Sequence, residues 1–180
     1  MQHLGSLTLV SALEHPELLG GKVVEALRRW SETIDVSAIG AAQIDPSLSD
    51  TAAFCEYYGI GMHESANCII LKPKSGDGAR YAALMVLGST RADVNNKARQ
   101  EIGAKVSFAP MDEAVKESGM EYGAITPIGL PASWPILVDK AVADAPRVVI
   151  GSGIRSSKLI LPGALLATLP NARVIEGLAA

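Results

Sequence analysis

Gly123-Ala124-Ile125-Thr126-Pro127-Ile128-Gly129-Leu130-Pro131, followed at once by Trp134-Pro135-Ile136-Leu137-Val138 and Asp139, is the stretch around which the chain is organised. Each proline lacks an N–H and disfavours the helical region for its predecessor, so two glycines and two prolines in nine residues exclude regular helix. The stretch is a constrained loop that delivers the chain into an apolar strand. Glycine at 123 and 129 lets backbone N–H groups approach a ligand with no Cβ in the way, and the prolines fix the turn on either side. Two readings follow: a loop that holds a carbonyl or carboxyl group through main-chain donors, or a proline-stiffened connection between helix and strand.

Downstream of the loop, Pro135 to Val138, Arg147 to Gly151 and Ser157 to Leu161 read as strands, with Gly151-Ser152-Gly153 turning between the last two. Pro162 starts a short helix to Leu169, and Ala172 to Ile175 completes the sheet. Asp139, at a strand end, either caps the following helix or holds a pocket side chain. Ser152, between two glycines, is either a turn residue or a hydroxyl offered to a substrate.

Upstream, Pro110 to Gly119 is a helix with proline in its first turn, acidic residues near its positive end and glycine after it. Lys105 to Ala109 is a short strand, and Thr90 to Gly103 a helix with Asp93 near its start. The runs Asn67 to Lys72 and Tyr81 to Leu87, separated by Ser75-Gly76-Asp77-Gly78, form a β-hairpin. Ser49 to Gly59 is a short helix with an N-cap candidate and a terminating glycine. Ile34 to Ile39 alternates apolar with polar and is expected as a strand closed by Asp45-Pro46. Residues 1–32, with Val23, Val24, Ala26, Leu27 and Trp30 at helical spacing, are expected as an N-terminal helical arm packed on a domain of residues 33–180.

Composition fits this layout. The 180 residues suit one domain, and 48% hydrophobic residues with 4% aromatics require a core of Ala, Val, Ile and Leu, as in α/β layers. The fold class expected is α/β, a single-domain mixed β-sheet with flanking helices. Net charge of −3 argues against a general nucleic-acid coat and leaves room for a local basic rim. Cys55 and Cys68 lack metal-ligand spacing and read as reduced core residues. With no signal peptide and no apolar run long enough for a bilayer, the expectation is a cytoplasmic protein with no membrane partner.

Charged and polar clusters supply further candidates. Asp93, Asn95, Asn96 and Lys97 form a helix start, where Lys97 could also meet phosphate. Arg91, Arg99, Lys105 and Arg155 are either scattered surface charges or a basic rim. His63-Glu64-Ser65 suggests a nucleophile and base, but neighbours in sequence rarely face each other, and His63 is kept only as a pocket-lip residue.

The order of elements, with Gly103-Ala104-Lys105, Gly119, Gly123-Ala124-Ile125-Thr126-Pro127-Ile128-Gly129, Ile136-Leu137-Val138-Asp139 and Gly151-Ser152-Gly153-Ile154-Arg155, resembles the YbaK/ProX (YbaK/EbsC) family of freestanding aminoacyl-tRNA editing deacylases, over about residues 33–176. The resemblance implies an editing domain like that associated with prolyl-tRNA synthetase. Its implied activity is hydrolysis in trans of the ester of a mischarged aminoacyl-tRNA, of the kind that clears alanine or cysteine from the proline tRNA. It implies no metal or cofactor, with mischarged tRNA as partner and an aminoacyl-tRNA synthetase as a further one. Gly123 matches the glycine whose backbone meets the aminoacyl carbonyl, an N–H donor aimed at oxygen that gains charge. Thr126, Pro127, Ile128, Gly129, Ser152, Gly153 and Asp139 are the implied substrate-binding residues, and Lys97 and Arg155 the tRNA-binding ones. One departure stands out: the family usually places a lysine where Asn67 stands, and Lys72, five residues on, should face the other way. Asn67 can orient a water or the substrate amine but carries no charge, which leaves either a catalyst relying on other donors or a binding module without turnover.

Overall fold

The computed structural model describes residues 2–74 and 80–180; the Ser75-Gly76-Asp77-Gly78 connection lies outside the described residues. The fold is the α/β single domain expected, with its strands divided between two five-stranded sheets. The first sheet is wholly antiparallel and takes the order β1 (Gln2–Leu4), β2 (Leu7–Ser11), β3 (Gly40–Gln43), β9 (Ser157–Leu161), β8 (Val148–Gly151). The second is mixed, in the order β10 (Ala172–Ile175), β7 (Ile136–Asp139), β5 (Ala82–Leu87), β4 (Ala66–Pro73), β6 (Val106–Phe108). Here β7 runs parallel to β5 and to β10, and β4 runs antiparallel to β5, with Asn67 opposite Val86. A bridge between Ser65 and Val149 joins the sheets at the start of β4.

Two-residue periodicity sorts the side chains into three apolar groups. Ile136 and Val138 of β7, Val148 and Ile150 of β8, and Leu159 and Leu161 of β9 share the main core with Val23, Leu27 and Trp30 of α1 (Gly21–Ser31), which lie on one helix face. Leu137, on the opposite face of β7, packs with Leu84, Val86, Val94 and Ala98. Val149 and Ile160, on the outer face of the first sheet, pack under Phe54 and Cys55 of α2 (Thr51–Tyr58). Lys158 is two residues from Ile160 on β9 and is carried to this same α2-covered face.

Local chemistry closes the helices where the sequence places glycine. α2, α3 (Arg99–Ile102) and α4 (Met111–Ser118) end at Gly59, Gly103 and Gly119, each left-handed with φ of 69°, 75° and 68°. The helix expected from Thr90 is shorter: Asp93 caps a π-helical turn, Val94–Ala98, that runs on into α3. α5 (Lys140–Ala143) and α6 (Gly163–Leu166) are single turns after β7 and β9.

Two segments differ from their sequence reading. Ile34 to Ile39 is a turn region, because the Asp35 carboxylate accepts from the Ser37 N–H at 2.9 Å and bends the chain; the strand starts only at Gly40. Residues 2–11, read as part of a helical arm, form two strands, and Val10 pairs with Ala41 in the first sheet. The helical part of residues 1–32 begins with Pro16–Leu18 and continues as α1. The first turn of α1 backs the 123–131 loop: a Cβ on Gly129 would fall 2.7 Å from the Lys22 carbonyl oxygen, so glycine is what lets the two backbones touch.

Candidate active site

A cleft of about 290 Å³ opens where the two sheets meet. One wall is the start of β4, from Ala66 to Ile69; the facing wall is Val149 to Gly151 of β8 and Lys158 of β9. Ser49, Asp50 and Thr51 at the head of α2 close one end, and Tyr122, Gly123 and Ile125 of the focal loop form the lip, with Met111 beside them. The loop is laid tightly across the end of β8, since a Cβ on Gly151 would meet the Ala124 and Ile125 carbonyl oxygens at 2.4 and 2.7 Å.

Gly123 and Asn67 therefore share one cleft. Gly123 has φ of 74°, its carbonyl accepts from Ser49 Oγ at 2.9 Å, and its N–H has no partner among the described residues. Asn67 Oδ1 accepts from the Thr51 hydroxyl at 2.6 Å, and its amide nitrogen has no partner among the described residues. Lys72 is turned away and pairs with Glu113 of α4 at 2.7 Å. Cys68 also lines the cleft, but burial pushes its thiol up to about 12, so at neutral pH it is no thiolate nucleophile.

One further charged group in the cleft, Lys158, belongs to no motif of the sequence. Lys158 is only 7% exposed, and its Nζ donates to the Ser49 carbonyl at 2.8 Å and lies 5.3 Å from the centre of the Phe54 ring. Burial pulls its pKa down to about 8, against the smaller opposing pull of Cys55 and Asp50, while Arg155 adds to the lowering. The signal available in the sequence is a cation followed directly by three apolar strand residues, Leu159, Ile160 and Leu161.

The remaining candidates fall elsewhere. Thr126, Pro127 and Ile128 are buried beneath the loop, and Gly129 abuts α1; Ile125 is the residue of that run that reaches the cleft. Ser152 Oγ is consumed by the Ile154 carbonyl at 2.9 Å and by Ser157, which makes it a turn residue. Gly153, with φ of 86°, packs against Gly20 and Val23. Asp139 caps α5 through Ala141 N–H at 2.8 Å and holds the Ala179 N–H at 2.7 Å, so both carboxylate oxygens are occupied.

The basic candidates divide in the same way. Arg155 is at the cleft mouth: it donates to the Tyr122 and Pro46 carbonyls at 2.8 and 3.0 Å, lies over the Tyr122 ring and bounds the space above Gly123. Lys97 pairs with Glu101 at 3.6 Å outside the cleft lining, and Arg99 and Lys105 border a separate shallow depression with Asn95 and Asn96. His63 is exposed and does not line the cleft, although Ser65 does. Among the described residues no cluster of His, Cys, Asp or Glu could hold a metal, and no helix is long and apolar enough to cross a membrane.

Comparison with known proteins follows the same outline. A family profile described as aminoacyl-tRNA editing domain matches residues 45–169. The uncharacterized protein YwhH of Bacillus subtilis is 23% identical over 133 residues, 74% of this chain and 79% of that protein. A proline–tRNA ligase of Nautilia profundicola is 24% identical over 124 residues, which span 69% of this chain but only 22% of the ligase. Among solved structures, a hypothetical protein superposes with a TM-score of 0.75 at 19% identity, covering 88% of this chain and 99% of that one. A candidate trans-editing enzyme for prolyl tRNA synthetase superposes with a TM-score of 0.70 at 18% identity, covering 88% and 97%. At these identities the structural likenesses carry the fold.

Proposed function

Since the chain belongs to the aminoacyl-tRNA editing domain family, we propose that it hydrolyses, in trans, the ester joining a mismatched amino acid to the terminal adenosine of a tRNA. The observation that carries this reading is the pairing of an unpartnered Gly123 N–H with the free amide of Asn67 in one cleft at the meeting of the two sheets. In the reaction, water adds to the aminoacyl carbonyl carbon, the bond to the ribose oxygen breaks, and the proton given up by water ends on that ribose oxygen. The products are a free amino acid and a tRNA with its terminal hydroxyl restored. Gly123 N–H donates to the carbonyl oxygen as charge develops there, in a position fixed by the Ser49 bond to its own carbonyl. Asn67 orients the attacking water or the substrate amine.

The lip suits a nucleotide. Tyr122 is 47% exposed and Met111 51% exposed, offering apolar surface to the adenosine, and Arg155 beside Tyr122 offers charge to the backbone. A cleft of about 290 Å³ admits a small aminoacyl group, and the alanine and cysteine esters of the proline tRNA are the first candidates. The site acts without metal or cofactor, on mischarged tRNA released by a synthetase, in the cytoplasm.

The test is release of amino acid from a panel of mischarged tRNAs carrying alanine, cysteine, serine or proline. Turnover of at least one ester is expected; a silent panel, with a lysine-bearing relative active beside it, would overturn the reading. A second reading, binding of an aminoacyl-adenosine without turnover, is favoured by the absence of charge at Asn67. Deacylation gained by Asn67→Lys, with none in the parent, is the result that would select it.

A further inference from the structure

Among the described residues, two side chains in the cleft lining carry charge, Asp50 and Lys158. Lys158 comes from the first sheet, opposite the wall that holds Asn67, and the residue as a whole is buried. It has three N–H donors, and the Ser49 carbonyl occupies one; among the described residues it has no carboxylate within ion-pair distance and no second hydrogen-bond acceptor. Burying a charge with so few partners is costly, and a ligand that supplies the missing acceptors would offset that cost. The Phe54 ring lies on one side of the ammonium, 5.3 Å away, and Lys158 lines the cleft.

We infer that Lys158 is a catalytic residue: its Nζ binds the carbonyl oxygen of the aminoacyl ester and holds the negative charge that oxygen gains when water attacks. This rests on the deacylase reading above and assigns the cation of that site. Ser49 ties the parts together, because its carbonyl accepts from Lys158 at 2.8 Å and its hydroxyl donates to the Gly123 carbonyl at 2.9 Å. One residue thus contacts both the charged donor and the Gly123 peptide, and two such donors on one carbonyl oxygen are what an acyl transfer needs. Asn67 on the opposite wall is left to place water or the amine, for which a neutral amide suffices.

The charged and titratable groups around Lys158 are Asp50, just before α2, Cys55 of α2 and Arg155 from the loop before β9, and the burial that dominates them brings its titration to about 8. The charge is present at neutral pH and lost above that value, so the contribution of Lys158 should fade on the alkaline side while a neutral variant shows no such loss.

The test uses the full chain, Lys158→Met, and Lys158→Met combined with Asn67→Lys, which returns a cation from the other wall. Single-turnover deacylation of the mischarged-tRNA panel is followed across pH, alongside binding of 3′-alanylamino-adenosine, an amide analogue that retains the carbonyl, and thermal melting to establish folding. Lys158→Met is expected to slow the chemical step about 10²-fold, with the parent-to-variant ratio falling above about pH 8 and the double variant recovering much of the loss. A folded Lys158→Met within about threefold of the parent, or a ratio flat across that pH range, overturns the role of Lys158 and leaves the deacylase reading standing. A parent that neither hydrolyses any ester nor binds the analogue overturns both. A parent that binds the analogue in a Lys158-dependent way without hydrolysis overturns the deacylase reading and the catalytic role together.

Discussion

The Thr51 hydroxyl donates to Asn67 Oδ1 at 2.6 Å, and that one bond decides which face of the Asn67 amide meets the cleft. Thr51 is the first residue of α2 and Asn67 lies near the start of β4, so the helix sets the orientation of a side chain on the second sheet. Thr51→Val keeps the shape and removes the donor. It should lower the single-turnover deacylation rate about five- to tenfold, the worth of a hydrogen bond of about 1 kcal/mol. Melting temperature should change little, and a rate equal to the parent's would show that the amide orientation does not matter.

Gly123 and Gly59 form a controlled pair. Both have left-handed backbones, φ of 74° and 69°, but a Cβ at Gly123 would fall 2.6 Å from Arg155 Nη1, whereas at Gly59 nothing lies within 4 Å. Alanine at Gly59 should cost only the backbone term, about 1 kcal/mol of stability. Alanine at Gly123 should cost at least that, displace Arg155 from Tyr122, and reduce both binding of the analogue and deacylation. Denaturant titration and a binding measurement on the two variants separate the effects.

Asp139 is expected to behave as a structural residue. Its two oxygens hold the start of α5 and the Ala179 N–H, so Asp139→Ala should destabilise the fold by about 2–4 kcal/mol. The folded fraction should bind the amide analogue as the parent does. A variant of full stability with impaired binding would place Asp139 in the site instead.

Lys158 predicts a stability change of defined sign. Its pKa is about 8 folded against 10.5 unfolded, so between those values the unfolded chain binds the extra proton and stability rises with pH. Below about pH 8 the full penalty stands, of order 3 kcal/mol at 1.36 kcal/mol per pH unit. Lys158→Met should therefore be more stable than the parent at pH 7, less the lost bond to Ser49, and the difference should shrink as pH climbs towards 10.5. Paired urea titrations at pH 7 and pH 10 check this; a gap that widens with pH would contradict the depressed titration.

What the sequence states legibly is what neighbouring residues settle among themselves. Gly59, Gly103 and Gly119 end helices because a left-handed residue is needed at those points, and Asp93 and Asp139 start them because a carboxylate can reach the next N–H groups. The hairpin strands around Asn67 and the loop at Gly123 are legible for the same reason, and the apolar periodicity carries the α/β class. Ile34 to Ile39 misleads because alternation of apolar and polar residues also fits a turn, and the Asp35 side chain decides between them locally.

Only the tertiary structure decides which separated segments share a wall. Gly40 to Gln43 pairs with Ser157 to Ile160 across more than half the chain, and residues 2–11 become strands only because β3 offers them an edge. That Asn67 is uncharged is visible in the sequence; that Lys158 brings a cation to the same cleft is not. The reason is that a lysine on a strand reveals nothing of its burial until α2 is laid over that face, and the approach of β9 to the Gly123 loop depends on sheet pairings that no local pattern encodes.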